Sequence, residues 1–423
     1  MKRLLAQTRS FPPPVRLLMV NQFAINLAFY MLMPYLAAHL SGELGLAAWA
    51  VGLVLGVRNL SQQGMFLIGG TVADRLGHKA PILAGCVLRT LGFALLGWVD
   101  SLPALLVASA ATGFAGALFN PAVRACLAVE AGERRVDAFA TFNVYYQAGM
   151  ALGPLVGLAL LAADFRWVCT VAAAIFAALS VLQARALPRG YGAAAGDRRA
   201  GPAAGGVWAQ WRQVAANRPF LLFSVAMTGS YLLAFQVYLA LPLAADAALG
   251  ADGTKATSGL FVVSAGVAVA GQLRLTGWAK RRFTPQQALI AGLAGMGAAF
   301  LPLALAPSSS TLAVLGALVA AVALLAAAGA VAYPFEMDTV VALSGQKLVA
   351  THYGFYNTVS GLGITLGNLA CGALWDHVHA RGATWLMWLA LSATGAGCAG
   401  AVAALARSGR LTASARTPQP SAA

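Results

Sequence analysis

The chain has 423 residues, of which 60% are hydrophobic and 10% are charged, and its mean hydropathy is +0.74. Soluble domains carry about 25% charged residues, so this composition argues against a soluble protein and indicates one embedded in a membrane. The net charge of +15 would suit a nucleic-acid partner, but the basic residues are spread over short segments between apolar runs and do not form one basic face. The five cysteines are widely spaced in apolar runs, which predicts neither a disulfide framework nor a metal site.

Apolar runs of about 20 residues can cross a bilayer as helices, and Gly, Pro and charged residues divide this chain into twelve such runs. The N-terminal bundle, residues 1–187, holds predicted helices at 15–40, 48–72, 80–99, 102–130, 138–163 and 166–187. The C-terminal bundle, residues 219–407, holds predicted helices at 219–245, 256–279, 287–306, 309–342, 348–375 and 382–406. Residues 188–218 are predicted to be a cytoplasmic linker with an amphipathic turn at 207–211 on the bilayer surface, and residues 408–423 a disordered cytoplasmic tail.

The distribution of positive charge tests this count, because cytoplasmic loops of membrane proteins carry an excess of Lys and Arg. Of the 28 Lys and Arg residues, the predicted outer loops hold only Arg166, Lys255 and Arg381. Three more lie within or at the ends of helices, namely Arg58, Arg89 and Arg274. All the others fall on the inner side, which predicts that both termini are cytoplasmic.

Three pairs of segments suggest that the second half of the chain repeats the first. FNPAVRA at 119–125 resembles AYPFEMD at 332–338, and FNVYYQAGMALGP at 142–154 resembles YNTVSGLGITLGN at 356–368. GTVADRL at 70–76 has a weaker counterpart, GWAKRRF, at 277–283. These matches occur in order and at a nearly constant offset, so they favour a transporter built from two bundles.

The segment GGTVADRLGHK at 69–79 resembles the connection between helices 2 and 3 of the major facilitator superfamily. The family pattern is Gly-x-Leu-Ala-Asp-Arg-x-Gly-Arg-Lys/Arg. Val72 stands in place of the Leu, and His78 in place of a basic residue, which leaves the charge at that position open. The resemblance implies an all-α membrane protein of twelve transmembrane helices in two six-helix bundles.

Four longer segments, at 51–79, 118–127, 235–243 and 354–368, are similar to the drug:proton antiporter branch, in particular to the multidrug resistance protein H type. That similarity implies a monomeric exporter of small amphipathic molecules in the bacterial inner membrane. It would use the proton gradient, no cofactor, no metal and no nucleic-acid partner. Siderophore and sugar exporters share these motifs, so an exporter of an endogenous metabolite or a proton-coupled importer is the alternative. A membrane enzyme is disfavoured because no cluster of nucleophiles or metal ligands is visible.

The resemblance further implies a conformational latch at the end of helix 2, formed by Gly70, Asp74, Arg75, Gly77 and Lys79. Its glycines would let helix 2 end and the chain turn. Asp74 would lie at the positive N-terminus of helix 11, around residues 349–352. Arg75 could then contact Glu130 or Asp137. A solvated loop that only sets topology is the alternative.

Small residues in helices 5 and 11 predict close helix packing. Helix 5 carries Gly149, Gly153, Pro154 and Gly157, which resemble the antiporter signature of this branch, and helix 11 carries Gly363 and Gly367. Close packing between bundles is what a rocking seam requires. Ordinary packing is the alternative.

Charges inside the membrane predict the coupling site. The candidates are Arg58, Arg124, Glu336 and Asp338. Arg124 in helix 4 could pair with Glu336 or Asp338 in helix 10, and breaking that pair would change the proton affinity of the acid. An inner-surface clamp is the alternative.

Amides and aromatic side chains predict the wall of a substrate pocket. They are Gln22, Asn26, Tyr30, Asn143, Tyr146, Gln147, Tyr231, Phe235, Gln236, Tyr353, Tyr356 and Asn357. Helix 1 has no acid, so neutral, zwitterionic or anionic substrates fit better than cations. Packed or lipid-facing side chains are the alternative.

Overall fold

The structure, a computed structural model, describes residues 2–187, 206–307 and 310–411. Most of the predicted linker, 188–205, and the part of the predicted tail at 412–423 lie outside the described residues. Within the described residues the chain is helical and contains no strand.

Twelve helical elements correspond to the twelve predicted spans, and we number them α1 to α12. They are α1 Pro13–Ala38, α2 Ala48–Leu76, α3 Lys79–Trp98, α4 Leu102–Ala131, α5 Arg135–Leu161, α6 Phe165–Ala186, α7 in two parts Arg218–Phe235 and Ala240–Leu249, α8 Gly253–Arg282, α9 in two parts Pro285–Ala298 and Leu301–Leu305, α10 Thr311–Leu343, α11 Val349–His379 and α12 Trp385–Arg407. Two short helices, Lys2–Arg9 and Val207–Ala216, precede α1 and α7.

Most of these elements are apolar enough to cross a bilayer on their own. By length and hydropathy, ten segments of the described residues qualify as spans, and one of them, Leu102–Leu161, contains both α4 and α5. α2 is not among the ten, since Arg58, Asn59 and Gln62 make its middle polar. Backbone groups in lipid must be satisfied internally, so α2 can still cross as a helix, with the polar side chains of Arg58 and Gln62 half-buried in the bundle.

α1 to α6 form one half of the molecule and α7 to α12 the other, and two seams join the halves. α2 packs against α11, and α5 packs against α8. These seams are related by the internal repeat, because α8 and α11 are the counterparts of α2 and α5. The first seam is unusually close. A Cβ atom at Gly70 would overlap the Ala350 carbonyl, and one at Gly354 would overlap the Phe66 carbonyl.

The predicted end of helix 2 at residue 72 is wrong. α2 continues to Leu76, so Gly70 lies inside the helix and does not turn the chain. Packing against α11 outweighs the low helix propensity of glycine. The turn belongs to Gly77, whose φ of 78° is in the left-handed region that residues with a side chain avoid.

Candidate functional site

Asp74 at the end of α2 binds the N-terminus of α11. Its carboxylate accepts hydrogen bonds from the backbone N–H of Ala350 at 3.1 Å, the backbone N–H of Thr351 at 2.7 Å and the Thr351 hydroxyl at 2.6 Å. Free N–H groups and the helix dipole make a helix N-terminus a binding site for an anion. This contact joins the two halves of the molecule at the position the resemblance implied.

Residues near Asp74 in the chain bind two further elements, the helix Val207–Ala216 and the end of α6. Arg75 donates to Gln210 Oε1 at 3.1 Å, and the indole of Trp211 donates to Thr71 Oγ1 at 2.8 Å. Thus one face of the helix Val207–Ala216 packs on the end of α2, where a turn on the bilayer surface was predicted. Lys79 donates to the carbonyl oxygens of Ala184 at 2.8 Å and of Leu187, which caps the end of α6.

His78 is buried in the connection between α2 and α3. Only 4% of its surface is exposed, and its Nδ1 has no hydrogen-bond partner. Burial lowers the pKa of this imidazole from 6.5 to about 4. His78 is therefore neutral at pH 7 and does not supply the positive charge that the family pattern has at this position.

The glycines of α5 and α11 pack within each half, not across the seam that was expected to need them. A Cβ atom at Gly149, Gly153 or Gly157 would collide with α1, whose Tyr35 hydroxyl also donates to the Pro154 carbonyl at 2.7 Å. A Cβ atom at Gly363 or Gly367 would collide with α7. The close seam between the halves depends on other glycines, those on α2 and the start of α11.

The predicted pair between Arg124 and an acid of α10 is not formed. Arg124 donates instead to Asn357 Oδ1 at 2.7 Å, and thereby links α4 to α11. Asp338 pairs with Arg135 at 2.5 Å. Glu336, only 3% exposed, accepts a hydrogen bond from the Tyr356 hydroxyl. The sequence showed which charges lie in the membrane but not which amide or hydroxyl groups lie beside them.

Two ion pairs cross between the halves at the end of the molecule where the helix Val207–Ala216 lies, which we call the linker side. Besides the bond between Arg135 and Asp338, Lys280 Nζ lies 2.8 Å from Asp137 Oδ2. Asp137 had been expected to face Arg75. The start of α5 thus meets the end of α8 and the end of α10, and Asp74 closes the opposite seam.

The predicted pocket residues fall into separate groups. Tyr30 and Tyr146 share a hydrogen bond of 3.1 Å, and the rings of Tyr231 and Tyr356 lie 6.0 Å apart. The other contacts are Asn26 to the Gln22 carbonyl, Asn143 to Gln272, Phe235 to the Tyr238 ring, Gln236 to Asn368, and Tyr353 to the Met337 carbonyl. Tyr353 is fully buried, with the Phe139 ring of the other half 6.3 Å away, so it does not line an open pocket. The side-chain oxygens of Gln22 and Gln147 have no hydrogen-bond partner.

Several residues that the sequence analysis missed contribute to these groups. Gln272 is fully buried in α8, where it accepts from Asn143 at 2.7 Å and donates to the Ala330 carbonyl at 2.7 Å. Tyr238 donates to Met150 Sδ at 3.5 Å across the halves. A lone polar residue in an apolar run was the available signal for Gln272. A cavity of ≈ 300 Å³ on the linker side was also not predicted; it is lined by Gln7, Arg134, Asp137, Ala140, Leu273, Thr276 and Gly277.

Known proteins with similar sequences are transporters. A Mycobacterium tuberculosis protein described as an uncharacterized MFS-type transporter is 52% identical over 383 residues, 90% of each chain. Multidrug resistance protein MdtH of Edwardsiella ictaluri is 30% identical over 381 residues, 89% of this chain and 90% of that protein. The same protein of Klebsiella pneumoniae is 29% identical over 380 residues, with the same coverage.

Solved structures share the fold. The transporter FucP in its outward conformation superposes with a TM-score of 0.73 at 17% identity, covering 92% of this chain and 98% of FucP. The human organic anion transporter MFSD10 superposes with a TM-score of 0.64 at 18% identity, covering 95% of this chain and 100% of MFSD10. The sequence profile of the Major Facilitator Superfamily matches residues 18–368. The chain therefore belongs to the major facilitator superfamily, as a multi-pass membrane transporter rather than an enzyme.

Proposed function

We propose that this protein exports small amphipathic, drug-like molecules in exchange for protons, by alternating access, across the bacterial inner membrane. The relatives named multidrug resistance protein support the substrate class. The energy source would be the proton gradient, with both termini in the cytoplasm.

The observation that carries the proposal is the surroundings of Glu336. Among the described residues it is the one acid that is buried, and it lies within reach of the Arg124 charge. A carboxyl group in this position can take up and release a proton, and each change alters the field on Arg124. Because Arg124 holds Asn357 of α11, proton uptake would be felt at the contact between the halves.

The contacts on the linker side indicate the conformational state of the transporter in this structure. Asp74 on α11, Arg135 on Asp338 and Lys280 on Asp137 all hold the halves together at that end. With the linker in the cytoplasm, this arrangement is the outward-facing state. Protonation of Glu336 would then favour release of these contacts and opening to the cytoplasm.

Transport into inside-out vesicles with an imposed pH gradient tests the proposal. A fluorescent dye and a quinolone should accumulate, and a protonophore should abolish accumulation. The variant Glu336→Gln should lose gradient-driven transport but keep substrate counterflow, because only the proton site is removed. Asp376→Asn, at an exposed acid of α11, is the matched control and should behave as the wild type. Accumulation that ignores the protonophore, or a wild-type pH profile in Glu336→Gln, would contradict the proposal.

A further inference from the structure

Two arginines in the first half of the molecule lie at membrane depth. Arg89 in α3 is only 5% exposed, and Arg58 in α2 is half-buried. A charged side chain inside a membrane is costly and is almost always paired. The groups around these two arginines therefore have to compensate their charge.

No acid of the first half is available to them. The described acids of this half all lie at helix ends or in connections: Glu43, Asp74, Asp100, Glu130, Glu133, Asp137 and Asp164. Glu336 of the other half is already bonded to Tyr356. Among the described residues, neither Arg58 nor Arg89 forms an ion pair.

Aromatic rings surround the two guanidinium groups instead. The Phe29 ring centroid lies 5.1 Å from Cζ of Arg58 and 5.9 Å from Cζ of Arg89. Phe119 and Phe176 flank Arg89 at 5.6 and 5.4 Å. Ring faces attract a cation, but they cannot accept a hydrogen bond as an oxygen does.

Several donors of the pair consequently remain unused. Nε and Nη1 of Arg89 and Nε of Arg58 are buried without a hydrogen-bond partner, while Arg58 Nη2 donates to Asn59 at 2.6 Å. Gly116 of α4 lets the Arg89 and Gln62 side chains pack closely against that helix. A Cβ atom there would lie 3.3 Å from Arg89 Nη2 and 3.1 Å from Cδ of Gln62. An amide and a guanidinium thus meet at a point where α4 contributes no side chain.

We propose that Arg58 and Arg89, with Gln62, bind the carboxylate of an organic anion. The planar guanidinium groups match a carboxylate in geometry, and the anion would neutralise a cationic charge that the protein leaves unpaired. Arg58 is the more accessible of the two, so it would meet the anion first. This inference rests on the proposed function, since it names the class of molecule transported.

A pair of dyes that differ only at the carboxylate tests the inference. Rhodamine 110 carries a free carboxylate, and rhodamine 123 is its methyl ester. Binding to the purified full-length protein in nanodiscs is measured by fluorescence anisotropy. We expect rhodamine 110 to bind about tenfold to a hundredfold more tightly, as expected for hydrogen bonds to a charged group.

Variants assign that preference to the two arginines. Arg58→Gln and Arg89→Gln should each remove it, Arg89→Lys should retain part of it, and Arg274→Gln, at an exposed arginine of α8, should leave it unchanged. If Arg89→Gln does not fold, the half-buried position of Arg58 still decides the question. Equal affinity of the wild type for both dyes, or a preference that survives Arg58→Gln, would overturn the inference.

Two further measurements distinguish an organic from an inorganic anion, and the anion site from the transport activity. If added sodium chloride abolishes the preference while sodium gluconate, an organic carboxylate, does not at equal ionic strength, the arginines hold an inorganic anion, and the inference fails. Proton-driven export of rhodamine 123 is followed in parallel. Export without a carboxylate preference would sustain the proposed function and reject only the anion site.

Discussion

Single residues at the corner between α2 and α3 have opposite electrostatic roles. The Asp74 carboxylate accepts hydrogen bonds from three donors at the start of α11, an arrangement suited to an anion. His78, four residues later, is neutral because burial lowers its pKa to about 4. The motif therefore presents one acid and its basic neighbours Arg75 and Lys79, and not a continuous basic loop.

The neutral His78 predicts how stability depends on pH. Between pH 6.5 and about 4 the imidazole binds a proton in the unfolded chain but not in the folded one, so the free energy of unfolding falls as pH falls through this range. The full effect is on the order of 3 kcal/mol. Thermal unfolding of the detergent-purified protein from pH 7.5 to 4.5 should show it. His78→Gln should flatten the profile, and His377→Gln, at an exposed histidine, should not; equal slopes in all three proteins would refute the assignment.

Helices α2 and α11 form the closest contact between the halves, and glycine makes this contact possible. Gly70 meets the Ala350 carbonyl, and Gly354 meets the Phe66 carbonyl. Thr358 also donates to the Gln63 carbonyl at 3.3 Å. Backbones that approach so closely leave no space for a larger side chain, so the seam is held by shape along its length.

Enlarging Gly354 should therefore weaken this seam. The substitution Gly354→Leu overpacks the contact, at a cost of about 1–3 kcal/mol, and favours the state in which α2 and α11 separate. The measurement is the rate of thiol labelling at Ser360→Cys, a buried position of α11, in a background without native cysteines. Gly372→Leu is the control on the same helix, since a Cβ atom there meets nothing within 4 Å. We expect faster labelling only in Gly354→Leu, and equal rates would show that the seam does not limit opening.

Across the whole molecule, contacts between the halves gather on the linker side. Asp137, which pairs with Lys280, lines the cavity at the start of α5, and Arg135 in the first turn of the same helix pairs with Asp338. Each pair is partly exposed, so each contributes at most about 1 kcal/mol. Because both ion pairs lie on the linker side, both would stabilise the state in which this end of the molecule is closed.

Reversing one of these charges should open the linker side. Asp137→Lys should raise thiol labelling at Ala140→Cys, which lines the cavity, by up to about fivefold if the pair contributes about 1 kcal/mol. The double exchange Asp137→Lys with Lys280→Asp restores the pair and should return labelling to the starting rate. Failure of the double exchange to restore it would mean that the pair does not hold this end closed.

How far the sequence predicts the structure differs between the fold and the site. The position of Asp74 follows from the motif, because its partner is the backbone of a helix end and not one particular side chain. The partners of Arg124 and Asp338 do not follow from the sequence. Arg124 binds Asn357 and Asp338 binds Arg135, and in each pair the two residues are more than 200 positions apart in the chain. Likewise, the spacing of Gly149, Gly153 and Gly157 predicts close packing but not that the neighbour is α1.

By itself, the sequence determined that the chain forms twelve spanning helices in two related halves. Backbone groups in lipid can be satisfied only within helices or closed barrels. Apolar runs of about 20 residues therefore cross the bilayer as helices. Only the tertiary structure decided which helices meet, and hence that Arg124 holds Asn357, that Asp338 holds Arg135, and that Arg58 and Arg89 lack an acid. Those outcomes depend on the rotation and depth of each helix in its bundle, which packing between distant segments sets and local composition does not.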